Sequence, residues 1–195
     1  MRKIISKHEE EKKRKRNQII IGGILIFIMI SSMLGYAFQS QLFNSNSATN
    51  ETLTYNGIVF TNQNGFWTMN YRNERLVFTY LPSQIPESDL SNLTKDINDF
   101  SDKSLYIFSE DYNAESEIGF NLLSFATEIK NACPAGIECE DEKLQIRNCE
   151  DNFIIIQNGN EGVRQEENCI FISGEGDNLI KLADNVLFKI FGIRL

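Results

Sequence analysis

This 195-residue chain predicts an α+β fold in which one membrane-spanning helix precedes one external domain, and three observations predict it. A charge-free apolar run covers residues 19–38. Short strand-like runs cluster before the first helical pattern, and strands and helices then follow without strict alternation, which favours a mixed sheet with packed helices over a doubly wound fold. All four cysteines lie in the last third of the chain.

The apolar run is twenty residues long. At about 1.5 Å rise per residue it spans roughly 30 Å, the depth of a bilayer's hydrocarbon core. It is apolar on every face (Ile19, Ile20, Ile21, Ile24, Leu25, Ile26), which argues against a water-facing helix. Lys12, Lys13, Arg14, Lys15 and Arg16 stand just before it. Basic flanks stay on the cytoplasmic side, so the N-terminus is expected inside and the C-terminal domain outside. Gly35-Tyr36-Ala37 has the small-x-small form of a signal-cleavage site after Ala37. The length of the run and its eighteen-residue leader favour an uncleaved signal anchor. The expected organisation is a basic cytoplasmic leader (1–18), a transmembrane helix (19–38), a polar linker (39–50) and one external domain (51–195) of ordinary domain size.

Charge divides along the same lines. Residues 1–18 carry a net +5 and residues 19–195 a net −13. The leader suits anionic headgroups. The acidic domain would repel phosphates, which excludes nucleic acid as its partner. The expected partners are the lipid bilayer, through residues 19–38, and a protein at the cell surface.

Within the external domain, residues 53–60, 66–71 and 76–80 read as strands separated by turns at Asn64-Gly65 and Arg72-Asn73-Glu74, an antiparallel meander. Pro86 suits a helix start, and Leu90, Leu93, Ile97 and Phe100 fall on one helical face. Residues 105–109 form a fourth strand. A longer helix is expected over 114–131, on the stripe Ile118, Leu122, Phe125, Ala126 and Ile129, and closed by Pro134. Residues 153–157 and 169–173 read as buried strands. A last helix begins at Asp177 and ends at a glycine cap, Gly192. Trp67 and the phenylalanines are expected in the core.

An even number of clustered cysteines outside a membrane predicts two disulfides. The heptad from Cys133 to Cys139 closes on itself, and Cys149 and Cys169 lie ten residues either side of Gly159, so a hairpin centred there would bring them together. The gaps are too wide for the paired spacing of structural zinc, and no Cys-x-x-Cys redox motif is present. Asn50 and Asn92 each begin a glycosylation sequon.

The one histidine, His8, lies in the leader, which removes histidine-based triads and histidine-ligated metals from the domain's repertoire. Acidic groups at Glu110-Asp111, Glu140-Asp141-Glu142, Glu166-Glu167 and Glu175-Gly176-Asp177 match no calcium loop and read as solvated surface. No catalytic residue, cofactor or metal site is assigned. With its Lys/Arg leader, Ile-rich anchor, acidic disulfide domain and terminal Leu182-Ala183-Asp184 and Phe191-Gly192-Ile193 helix, the chain resembles uncharacterised archaeal single-pass membrane proteins in general layout. That resemblance implies no activity. The expected function is a membrane-anchored extracytoplasmic binding or interaction module. The alternatives are a carboxylate-dependent enzyme on an external polymer such as a glycan, and a structural subunit of a surface complex.

Overall fold

Three two-residue turns shape the start of the domain. A computed structural model describes residues 51–85, 88–139 and 141–194; the leader, the apolar run 19–38, the linker and Asn50 lie outside the described residues. Strands β1 (Thr52–Tyr55), β2 (Ile58–Gln63), β3 (Phe66–Tyr71) and β4 (Glu74–Phe78) pair in sequence order as an antiparallel sheet. The turns Asn56-Gly57, Asn64-Gly65 and Arg72-Asn73 all have φ between 47° and 91°, the positive values that match the twist of tight hairpins. The strand expected over 53–60 is therefore two strands, because Asn56-Gly57 is itself a hairpin turn.

The helix expected from Pro86 does not extend through Leu90 and Leu93. Pro82–Gln84 forms a 3-10 turn, and only Ile97–Phe100, here α1, is helical. The reason is competition for backbone donors. Asp89 accepts from Ser91 N at 2.9 Å, the Gln165 carboxamide accepts from Thr94 N at 2.8 Å, and Asp96 caps α1 through Asn98 N.

Strand β5 (Ser104–Ser109) leads through α2 (Tyr112–Leu122) to a parallel neighbour, β6 (Glu128–Pro134). The helix expected over 114–131 thus ends early. Its last third is a strand that bonds β5 on one side and β7 (Gln145–Arg147) on the other, and this pairing overrides a spacing that fits both periods. Strands β8 (Phe153–Asn158), β9 (Gly162–Glu166) and β10 (Cys169–Gly174) complete a mixed six-stranded sheet in the order β7-β6-β5-β8-β10-β9. Five strands are parallel, and β9 runs antiparallel at the edge. The expected hairpin about Gly159 is absent. Strands β8 and β10 are parallel, with Phe153 beside Cys169, and the chain turns back through β9 between them.

Helix α3 (Asp177–Ile190) closes the fold. Gly192, at φ 72°, sends its N–H to Lys189 O, and Ile193 N bonds to Phe188 O at 2.8 Å, the paired bonds of a Schellman cap. Nine of its fourteen residues are buried. A continuous core joins the meander (Phe60, Trp67, Phe78), α2 (Ile118, Leu122), α3 and the inner face of the large sheet (Leu105, Ile107, Ile154, Ile156, Ile170, Ile172). Phe188 packs on Phe78 with ring centroids 4.6 Å apart.

The sheet's opposite face carries a second cluster of Tyr106, Ala132, Phe153, Ile155 and Cys169. No described helix belongs to that cluster. It is covered by the segment after β6, which is held by Cys133–Cys139 (Cα–Cα 6.1 Å) and Cys149–Cys169 (Cα–Cα 4.9 Å). Arg147 adds its guanidinium over Tyr106 at 4.3 Å, and Arg164 lies over Phe171 at 3.7 Å. The two disulfides point to a domain that matures in an oxidising compartment. Replacing Cys149 and Cys169 together with alanine is expected to cost about 3 kcal/mol of unfolding free energy. It should also raise binding of a hydrophobic dye; urea titration and dye fluorescence read the two effects.

Candidate functional site

The interrupted helix leaves a cavity. A space of about 910 Å³ opens between the segment 88–96 and the C-terminal end of α3, within the size range of small-molecule sites. One wall is this non-helical segment, which turns at Ser91-Asn92 and lines the space with Leu90, Ser91, Leu93 and Thr94. Buried Lys95 pins this wall: its ammonium donates to Asn152 Oδ1 at 2.6 Å and Asn168 Oδ1 at 3.1 Å, and it lies 5.5 Å from the Phe100 ring centroid. Burial pushes its pKa down, opposed by the nearby Asp99 carboxylate.

The other wall is Asn185, Lys189 and the cap residues Gly192, Ile193 and Arg194. Lys189 and Arg194 are exposed and form no ion pair among the described residues. The Arg194 carbonyl accepts from Asn56 Nδ2 at 3.0 Å, which ties this wall to the first hairpin. Asn185 is fully buried; its Nδ2 donates to Ser88 Oγ, while its Oδ1 has no partner among the described residues. A buried amide oxygen without a partner is costly in a folded chain. The cavity therefore has apolar sides, hydroxyl groups, two cations on one wall and an unsatisfied amide in its lining.

A second polar cluster lies where the helices meet the free edge of β4. Asn121 of α2 pairs with Val77 like a neighbouring strand, accepting from its N–H at 2.8 Å and donating to its carbonyl at 2.6 Å. Glu117 accepts from Thr79 N at 2.9 Å and Thr79 Oγ1 at 3.0 Å. Asp184 of α3 accepts from Tyr80 N at 2.8 Å. Burial, and then the Glu117 carboxylate beside it, push the Asp184 pKa well above the ordinary carboxylate value. These groups close an edge that would otherwise invite another strand. They are absent from the linings of the described cavities.

The acidic groups noted in the sequence have other partners. Glu110 accepts from Asn158 N at 2.8 Å and joins the ends of β5 and β8; Asp111 caps α2 through Ala114 N. Asp141 accepts from Lys143 N, Glu166 pairs with Arg164, and Asp177 opens α3, while Glu140 lies outside the described residues. Glu150 and Asp151 line a smaller cavity of about 250 Å³, but they are consecutive in a turn, and Asp151 pairs with Arg147 at 3.5 Å. No group of three metal-ligating side chains exists among the described residues. Asn92 of the second sequon is exposed on a turn beside the 910 Å³ cavity.

No family model matches this chain, and no curated protein or solved structure shows significant similarity to it. Two features escaped the sequence reading. Asp184 and Asn185 are consecutive polar residues amid the apolar α3 pattern, and that interruption is the signal that marks them. The cavity had no such signal, because it depends on a helix that fails to form.

The raised Asp184 pKa has a definite sign. The folded chain holds a proton that the unfolded chain releases above about pH 4. The stability from this site is fully present below that pH and is lost as pH rises through the raised value. Asp184→Asn keeps an acceptor for Tyr80 and removes the titration. Its urea midpoint is expected to fall less than that of the parent between about pH 4 and pH 8; equal slopes for the two proteins would refute the assignment.

Proposed function

We propose that this chain is a membrane-anchored extracytoplasmic binding module whose site is the 910 Å³ cavity beside the end of α3. One observation carries the reading: a ligand-sized space with polar side chains in its lining includes a fully buried Asn185 whose Oδ1 has no hydrogen-bond partner among the described residues. The stapled domain around it is a rigid support for such a site. Tethering rests on the apolar run 19–38 with its basic leader, which would place the disulfide domain on the oxidising side of the bilayer. Among the described residues no helix is long and apolar enough to cross a membrane.

Catalysis by paired carboxylates has no comparable support. The neighbouring acids Glu117 and Asp184 are committed to the β4 edge.

Two measurements test the proposal. On intact cells, a membrane-impermeant thiol reagent applied after mild reduction should label the cysteines, and labelling only after lysis would place the domain inside. A thermal-shift survey of metabolite-like compounds should find ligands that raise the melting temperature of the parent but not of Ser91→Trp, which fills the cavity from an exposed position. Ligands acting equally on both proteins would remove the cavity from the reading.

A further inference from the structure

Resting on the cavity being the binding site, we infer that its ligand is a small hydroxylated organic anion with the chemistry of a sugar acid. The charge of the lining is the first argument. The domain is strongly acidic, yet Lys189 and Arg194 both line one wall, and Lys95 stands behind the other. Among the described residues the lining holds one carboxylate, Asp96, which is engaged as the cap of α1, where it accepts from Asn98 N at 2.7 Å. Neither Lys189 nor Arg194 forms an ion pair among the described residues. The two side chains can close on a carboxylate with charge-assisted hydrogen bonds, and Arg194 offers a planar fork for it.

Asn185 supplies the second argument. Its Oδ1 is buried and without a partner among the described residues, while its Nδ2 reaches Ser88. Turning the amide over would let Ser88 donate instead and would leave the N–H₂ group unpaired. In either orientation one polar atom is left over, and a ligand hydroxyl satisfies both cases because it donates and accepts. Ser91 and Thr94 add hydroxyls on the facing wall, and Leu90, Leu93 and Ile193 offer apolar contact to the C–H faces of a sugar ring. A simple inorganic anion would leave Asn185 and these apolar walls unused. A simple fatty acid would leave the Asn185 amide unpaired.

Isothermal titration of the full chain in detergent, with D-glucuronate as probe and glucose, hexanoate and sulfate as comparators, tests the assignment. Glucuronate is expected to bind saturably and about tenfold or more tightly than each comparator. Lys189→Glu and Arg194→Ala, both exposed positions, should each weaken it by about tenfold without lowering the melting temperature. Binding should also weaken as salt rises. Glucose binding as well as glucuronate, with both variants unchanged, would overturn the anion assignment while leaving the cavity as the site. Sulfate binding as tightly as glucuronate would overturn the hydroxyl assignment. Failure of all four probes while the thermal-shift survey still finds ligands blocked by Ser91→Trp would overturn the ligand class alone; failure of the survey as well would remove the binding reading itself.

Discussion

A parallel sheet needs cover on both faces, and how this chain provides the second cover determines much of its chemistry. Helices α2 and α3 share a core with the inner face of the large sheet, and the meander joins the same core. The outer face has Tyr106, Phe153, Ile155 and Phe171 to shield, but only a short, loop-rich segment to shield them. Such a segment cannot bury enough apolar surface to offset its own conformational entropy. Two disulfides supply the constraint instead, and Cys169 is itself part of the buried cluster it secures. The disulfides that secure this cover thus point to an oxidising compartment.

The same economy appears at the sheet edges. Strand β4 has no strand beyond it, and side chains of α2 and α3 take up its backbone groups at Val77, Thr79 and Tyr80. That arrangement places Asp184 in a poorly solvated corner beside the Glu117 carboxylate, and burial followed by that neighbour raises its pKa well above the ordinary carboxylate value. The two acids serve the strand edge, where Asp184 accepts from Tyr80 N and Glu117 from the backbone and hydroxyl of Thr79.

The candidate site follows from a helix that does not form. Residues 88–96 carry helical spacing, but Asp89, Asp96 and the distant Gln165 claim their backbone donors. Kept from helix, and anchored by Lys95 to the starts of β8 and β10, the segment leaves space between itself and the end of α3. Its wall carries Ser91 and Thr94, and the facing wall carries Asn185 and Lys189 of α3.

The sequence by itself determined the local features: the meander with its turns at Gly65 and Asn73, strands β5, β8 and β10, helix α3 with its Gly192 cap, and the presence of disulfides. These depend on short-range periodicity, on residues able to adopt positive φ and on cysteine number. Even here Asn56-Gly57 carried a hairpin signal that an uninterrupted strand reading passed over. Tertiary structure alone decided that residues 128–134 become β6, that β8 and β10 run parallel, and that the segment 88–96 stays open. Each of these outcomes depends on a partner far along the chain, β5 for β6 and Gln165 for Thr94, and no local period encodes which partner will be met. The pairing of Cys149 with Cys169 shows the difference: both lie at the starting ends of neighbouring parallel strands, so sheet topology brings them together where a local hairpin was expected.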